Sequence, residues 1–280
     1  MMKKIDMHSY VTAFPQYVAP HADGSRFLSA EEQIALQEKL NIDISVLTTI
    51  IAPEGQWAKL GSENCKHIVT QNPDRFQWFC GIDPRMGGFR DNTKFNSILG
   101  QFIAMGAKGV GEIAASIYVD DAMMDNLFSY CEQFNMPTLV RYTRYYGSGR
   151  GTYDDKGLRR TENMLNAHPK LQLIGCGEGF WDEYDVGLSA LMRRCANLCC
   201  VISGEEAAAA LMRDADKAAS FLEAFSDRIY YGTAVRSVND TYPFALDAFL
   251  TMLVESGRLS REAWERMIRR NAEILLKIES

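Results

Sequence analysis

The chain has 280 residues, 47% of them hydrophobic and 24% charged, a mixture that suits a globular core and excludes disordered, collagen-like and coiled-coil chains. Its formal net charge of −6 offers no basic field to nucleic acid or to an anionic membrane surface. No apolar run reaches the roughly 20 residues that span a bilayer, no apolar stretch follows Lys3 and Lys4 as a secretion signal requires, and seven cysteines read as reduced, buried thiols of a cytoplasmic protein rather than as a disulfide framework.

Short β-type runs alternate with amphipathic helical stretches along the chain. Residues 4–8 are the first predicted strand. Ser29 with Glu32 forms a capping box that opens a helix, on which Leu36 and Leu40 share one face. Residues 44–51, unbroken and β-branched, read as a strand buried on both sides. A helix over 64–72 leads to a third strand at 76–82. Phe95, Ile98, Leu99, Phe102 and Ile103 repeat at helical spacing; Gly106 ends that helix and 108–113 is strand four. A helix over 123–134, a strand at 137–142, another helix and a strand at 171–176 follow. Beyond them lie a helix over 186–195, strand seven at 198–203, alanine-rich helical residues 205–225, strand eight at 229–232 and helices from Pro243 onward.

Eight strands, each followed by helical material over this length, predict an α/β fold, a single (β/α)8 TIM barrel covering residues 1–280 as one domain. An open doubly wound sheet is the competitor, but no glycine-rich phosphate loop follows the first strand. In a barrel the chemistry sits at the carboxyl ends of the strands. The residues there are Asp6, His8 and Tyr10; Asp83 and Arg85; Glu112; Arg141 and Arg144; Glu178; and Thr233, Arg236, Asn239 and Asp240.

Several of these landmarks carry a resemblance. Ile5-Asp6-Met7-His8 resembles the opening of the amidohydrolase superfamily, and the nearest branch is the amidohydrolase-2 group. These are TIM-barrel metal-dependent hydrolases that include relatives of aminocarboxymuconate semialdehyde decarboxylase. Asn72-Pro73-Asp74-Arg75-Phe76 with Gly81-Ile82-Asp83-Pro84 looks like the group's third strand, and Ala107-Lys108-Gly109-Val110 like its fourth. Asn135-Met136-Pro137-Thr138-Leu139-Val140 resembles the fifth, His168-Pro169 the approach to the sixth, and Tyr231-Gly232-Thr233 the end of the eighth. Asn271-Ala272 before Leu275-Leu276 resembles the C-terminal helix.

The resemblance implies a divalent metal held by a His-x-His pair on strand one, histidines after strands five and six, and an aspartate after strand eight. His8 is kept. Tyr10 replaces the second histidine of the pair, Arg141 stands at the strand-five position, Gly177 at the strand-six position, and Ala234 where the aspartate belongs. The four histidines, His8, His21, His67 and His168, also distribute badly for a nitrogen-rich centre, which needs about three protein ligands. A guanidinium near the metal position repels a dication and favours a carboxylate or phosphate. The expected state is therefore a degenerate metal site with no cofactor, a weak atypical divalent ion near His8 being the residual alternative.

Each candidate has a functional and a structural reading. His8 is a general acid/base, a metal ligand or a hydrogen-bonded remnant. Glu112 and Glu178 are proton-handling groups or partners of arginines such as Arg141. The segment from Arg141 to Gly151, rich in arginine, tyrosine and glycine, is a mobile lid over an anionic ligand or a surface loop. Cys176, Cys199 and Cys200 are core residues, the last two pointing to opposite strand faces, and Asn271 satisfies backbone groups. The leading expectation is a hydrolase or decarboxylase of a small carboxylate-bearing substrate, with His8, Glu112 and Glu178 catalytic and Arg141, Arg144, Tyr10 and Tyr142 binding substrate. A non-catalytic barrel that binds an anionic ligand or serves as a scaffold is the second, and an oxygen-rich manganese or magnesium site on His8, Glu112, Glu178 and Asp6 the third. Expected partners are a small anionic molecule and a second copy of the chain, not nucleic acid or membrane.

Overall fold

Eight strands form in chain order: β1 (Lys4–Ser9), β2 (Ile42–Leu47), β3 (Phe76–Trp78), β4 (Val110–Ile113), β5 (Thr138–Arg141), β6 (Leu173–Cys176), β7 (Leu198–Ile202) and β8 (Ile229–Tyr231). Helices alternate with them: α1 (Ala30–Leu40), α2 (Ser62–Gln71), α3 (Asn96–Ala104), α4 (Ala122–Gln133), α5 (Arg159–Ala167), the single turn α6 (Glu178–Trp181) and α7 (Leu188–Arg194). After β7 come α8 (Gly204–Met212) and α9 (Ala215–Ala224), and after β8 come α10 (Tyr242–Glu255), α11 (Arg261–Glu265) and α12 (Asn271–Leu276). This computed structural model describes residues 2–144 and 150–278; residues 145–149 of the glycine-rich stretch expected to form a lid lie outside them. The strands hydrogen-bond as two sheets, ordered β1-β2-β3 and β4-β5-β6-β7-β8, and the resolved pairings are parallel. Parallel pairing requires a crossover between successive strands, which the intervening helices supply.

The chain packs as two compact units. The first comprises Met1–Leu47, His67–Gln77 and Cys200–Ser280. Its α1 begins with the expected capping box: Ser29 Oγ accepts from the Glu32 amide and the Glu32 carboxylate accepts from the Ser29 amide. The buried face of α1 differs from the expected one. Gln33, Gln37 and Leu40 are buried, whereas Leu36 is half-buried. The reason lies on the strands: Ser9 and Ser45 hydroxyls receive the Gln33 amide at 3.4 and 3.3 Å, and Ser45 receives Gln37 at 2.9 Å. Polar atoms on β1 and β2 thus select a polar stripe on the covering helix. At the other end of this unit, Asn271 donates to the Ser226 and Ile229 carbonyls, as expected of a residue that satisfies backbone groups. The Ala234 amide donates to the His8 carbonyl at 2.7 Å, joining the end of β8 to β1.

The second unit comprises Thr48–Lys66 and Trp78–Cys199. The run of residues 44–51 expected to be one strand leaves the ladder after Leu47. Thr49 turns its amide and hydroxyl onto the Gly111 carbonyl, and Ile50 forms an isolated bridge with Leu60. Strand three likewise shortens to Phe76–Trp78, with Cys80 continuing as a bridge to Val110. All seven cysteines are free and buried. Among the described residues, no helix is long and apolar enough to cross a membrane.

Candidate active site

In the second unit, strand register brings the candidate residues together. Arg141 pairs with Cys176 across β5 and β6, and Ile113 pairs with Val140 across β4 and β5, so Glu112, Arg141 and Cys176 stand on neighbouring strand ends. Glu112 is buried, with 1% of its surface exposed. A carboxylate withdrawn from water in this way requires a partner. Its close partner is Arg150, whose Nη1 donates to Oε1 at 2.6 Å, while Arg141 approaches Oε2 only to 3.9 Å. The ion pair expected with Arg141 is thus made chiefly by an arginine nine positions farther on. The Cys176 thiol lies 3.8 Å from Glu112 Oε2 and 3.5 Å from the Val140 carbonyl.

Backbone pairing explains how Arg150 arrives there. The Thr152 amide donates to the Arg141 carbonyl at 2.7 Å and the Thr143 amide to the Thr152 carbonyl at 3.1 Å. The returning chain is thereby laid against the end of β5. Gly151 permits the approach, since a Cβ there would sit 2.6 Å from Thr143 Cβ.

Glu178 opens α6 and is half-buried; its Oε1 accepts from the Thr143 hydroxyl at 3.2 Å, and Arg144 comes within 3.6 Å. Arg144 donates more closely to Asp182, at 2.6 Å, and its side chain is half-exposed. Tyr142 is buried with its hydroxyl 2.8 Å from Thr161 Oγ1; burial pushes its phenol well above the usual range. The Arg85 guanidinium donates two bonds to Asp83 and the Arg85 amide a third, and Arg85 also clasps Glu54 at 2.7 Å.

The first unit holds a separate polar group at the end of β1. His8 is buried, and each ring nitrogen faces a hydroxyl: Nδ1 lies 2.8 Å from Ser203 Oγ and Nε2 lies 2.9 Å from Tyr10 Oη. Tyr10, where the resemblance would place a second histidine, is therefore a hydrogen-bond partner of His8. Ser203, just beyond β7, was not among the candidates, although its place at a strand end marks it. Beneath them Asp6 is fully buried and accepts from the His8 and Thr233 amides and from the Ser9, Ser45 and Thr233 hydroxyls. Burial pushes its carboxyl above the usual range, against the pull of those bonds. Of the outer candidates, Asp240 caps the Arg236 and Ser237 amides, and His21 Nε2 lies 3.2 Å from the Arg236 carbonyl. His168 sits between Asp125 and Glu132, and His67 stacks on Phe14.

Among the described residues, the side chains suited to holding a divalent ion are His8 in the first unit and Glu112 and Cys176 in the second. The whole defines an α/β protein of parallel strands and alternating helices, with charged and hydroxyl side chains collected at the carboxyl ends of strands.

No family model matches the sequence, and no curated protein matches it. Solved structures do. A TIM-barrel protein of Bordetella bronchiseptica, described as uncharacterized, is similar over 99% of both chains, with 17% identity and a TM-score of 0.67. A probable 2-pyrone-4,6-dicarboxylic acid hydrolase from Acinetobacter baumannii, solved with citric acid bound, matches 99% of this chain and 100% of its own at 14% identity and TM-score 0.65. A dihydroxybenzoic acid decarboxylase from Polaromonas, with bound manganese and the inhibitor 2-nitroresorcinol, matches 99% and 98% at 15% identity and TM-score 0.64. The expected fold is borne out: this chain has the TIM-barrel fold of those proteins, and the structures similar to it include a 2,6-dihydroxybenzoate decarboxylase, a 5-carboxyvanillate decarboxylase, a probable 2-pyrone-4,6-dicarboxylic acid hydrolase and a protein described as amidohydrolase II.

Proposed function

We propose that the chain is a hydrolase or decarboxylase of a small carboxylate-bearing substrate, a cytoplasmic single-domain enzyme that works without a divalent metal such as the manganese bound to the Polaromonas decarboxylase. The observation that carries this reading is the buried Glu112 carboxylate with two guanidiniums beside it, Arg150 at 2.6 Å and Arg141 at 3.9 Å. Two fixed positive charges against one carboxylate favour an anionic substrate group. The same charges disfavour a dication on Glu112. His8 fits a metal poorly as well, because each nitrogen already has a hydroxyl partner. The donor set thus suits proton transfer better than metal binding.

In this reading Arg141 takes the substrate carboxylate and offsets charge that develops on it. Arg144, at the edge with Glu178, extends the anion-binding surface. Glu112, withdrawn from water, is the general acid/base, and Glu178 is the second carboxylate able to exchange a proton. His8 retains acid/base capacity through its hydroxyl partners, Tyr10 orients its ring, and Tyr142 contributes an apolar wall. Small carboxylates are also what the neighbouring hydrolase and decarboxylases are named for, which supports the substrate class.

The test begins with thermal stabilisation of the whole protein by a panel of hydroxybenzoates and aliphatic dicarboxylates, since a ligand that binds only the folded state raises its apparent stability. Each stabilising compound is then assayed for carbon dioxide release and for hydrolysis. Arg141→Ala is expected to abolish the stabilisation; a stabilised Arg141→Ala protein removes the anchor. A stabilising ligand that is never turned over makes the chain a binding protein instead. Metal analysis after chelator-free purification is expected to find less than about a tenth of an equivalent of manganese or zinc, since tight sites hold their ion.

A further inference from the structure

In the first unit, α8 and α10 follow the parallel strands β7 and β8 and pack side by side. They begin together, since Glu206 of α8 acts electrostatically on the Tyr242 hydroxyl at the start of α10. A surface helix ordinarily turns charged residues to solvent, as α1 does with Glu31, Glu38 and Lys39. The outer face of α10 is different. Between Thr241 and Glu255 its exposed residues are Phe244, Ala245, Ala248 and Met252. The one charged side chain in that span, Asp247, pairs with Lys4 at 2.7 Å. Phe244 and Met252 keep 41% and 38% of their surface in water, and Met212 at the end of α8 keeps 44%. Single exposed apolar residues are ordinary, but an uncharged face shared by two neighbouring helices marks a contact surface.

The order of residues on this face matches it to a second copy of itself. Phe244 and Met252 stand four positions before and after Ala248. On α8, the exposed Glu205 and Arg213 stand four positions before and after the exposed Ala209. A twofold axis passing over both alanines lays each helix antiparallel on its own copy, giving the self-complementary contact of an isologous interface. Phe244 then meets the partner's Met252, a favourable ring–sulfur contact. Glu205 meets the partner's Arg213, and symmetry forms that ion pair twice.

Size agrees with this occupant. Small residues at the crossing points let helix axes approach to about 8–10 Å. α10 is about 21 Å long, and with α8 beside it the face is about 20 Å wide. That is the extent of the central part of an interface burying about 800 Å² per partner.

We propose that the chain forms a twofold dimer through α8 and α10, with Ala209 and Ala248 at the crossing points, Phe244 against the partner's Met252 and Glu205 against the partner's Arg213. None of these residues belongs to the proposed catalytic site, so the dimer stands or falls independently of that reading.

Sedimentation velocity of the full-length protein between about 1 and 200 µM, a range suited to interfaces of modest size, is expected to show a reversible monomer–dimer equilibrium. Ala248→Arg changes an exposed position and should keep the wild-type circular dichroism spectrum. It should weaken dimerisation at least about a hundredfold, because two guanidiniums then face each other at the axis. Glu205→Arg and Arg213→Glu should each weaken it at least about tenfold, two attractions having become two repulsions. An equal mixture of these two variants should associate within about threefold of wild type, because mixing restores opposite charges at both contacts. A wild-type protein that stays monomeric to the highest concentration overturns the proposal. So does a dimer that Ala248→Arg leaves at full strength, or a mixture of the two charge reversals no tighter than either alone.

Discussion

Arg150 reaches back along the chain to donate to the buried carboxylate of Glu112 at 2.6 Å, and this pair, rather than Arg141 with Glu112, neutralises the end of β4. Removing one partner of such a pair strands the other charge in a low-dielectric setting. Arg150→Met is therefore expected to destabilise the protein by roughly 3 kcal/mol, the low end of the range for buried pairs because Arg150 keeps some contact with water. Urea unfolding of both proteins measures it. A change below about 0.5 kcal/mol, the scale of ordinary surface substitutions, would mean Arg141 suffices.

A similar asymmetry exists in the first unit. Lys4 on β1 is buried, and its ammonium donates to Asp247 at 2.7 Å while lying 5.6 Å from the Tyr231 ring. Lys4→Met keeps the stem packed and deletes the charge, so it should cost under about 1 kcal/mol. Asp247→Ala leaves the buried ammonium unpaired and should cost roughly 2–4 kcal/mol. Equilibrium denaturation of the two variants gives the ordering directly, and an inverted order refutes the argument.

The parts legible in the sequence were those written in apolar period and local capping chemistry. All eight strands occur in the expected order, the Ser29–Glu32 box forms both its bonds, and Asn271 does satisfy backbone carbonyls. Where polar groups pack against polar groups, the apolar pattern is silent. Gln33 and Gln37 face the core because Ser9 and Ser45 lie beneath them, and counting leucines pointed one position away. Arg150 was passed over because its approach depends on Thr152 pairing with Arg141 and Thr143, a non-local contact with no spacing signature. Ser203 was readable in principle, standing one residue past β7.

The thiols give a simple check on the compartment argument. Burial pushes Cys65 and Cys131 up to about 12, and the thiolate is the reactive form. Native protein at pH 8 should therefore resist iodoacetamide at all seven cysteines, and urea-unfolded protein should take up seven labels. Rapid native labelling at either residue, read by intact mass, would contradict their burial.

Asp154 makes a prediction whose sign is fixed. Burial is the largest influence on its carboxyl and pushes it above the usual range, against the bonds from Thr161, Arg160 and Asp155. The folded protein therefore binds this proton more tightly than the unfolded chain does. That stabilisation is complete below the unfolded carboxyl's range and is lost as pH rises through the higher folded value. Asp154→Asn carries no such proton. The stability of wild type minus that of Asp154→Asn should fall as pH rises from about 3 through the carboxyl range, whatever the constant cost of the altered cap to α5. A difference that grows with pH runs against the assigned shift.

The last prediction concerns Gly177, which stands where the family resemblance would put a metal-binding histidine. Its φ of 89° and ψ of 169° fall in a region that only glycine occupies easily. A Cβ at this position would lie 2.4 Å from the Tyr142 carbonyl oxygen and 2.9 Å from Arg141 Cγ. Tyr142 cannot yield, because its amide is held by the Cys176 carbonyl at 2.8 Å in the β5–β6 ladder. Gly177→His should therefore not recreate a metal site. It should lower stability by roughly 2 kcal/mol or more, combining backbone strain with overlap, and should take up no more manganese or zinc than wild type. Gly177→Ala should show most of the same loss, since the first carbon already collides. If Gly177→His unfolds at the wild-type urea midpoint and retains an equivalent of metal, the backbone at this strand end is more permissive than its geometry indicates.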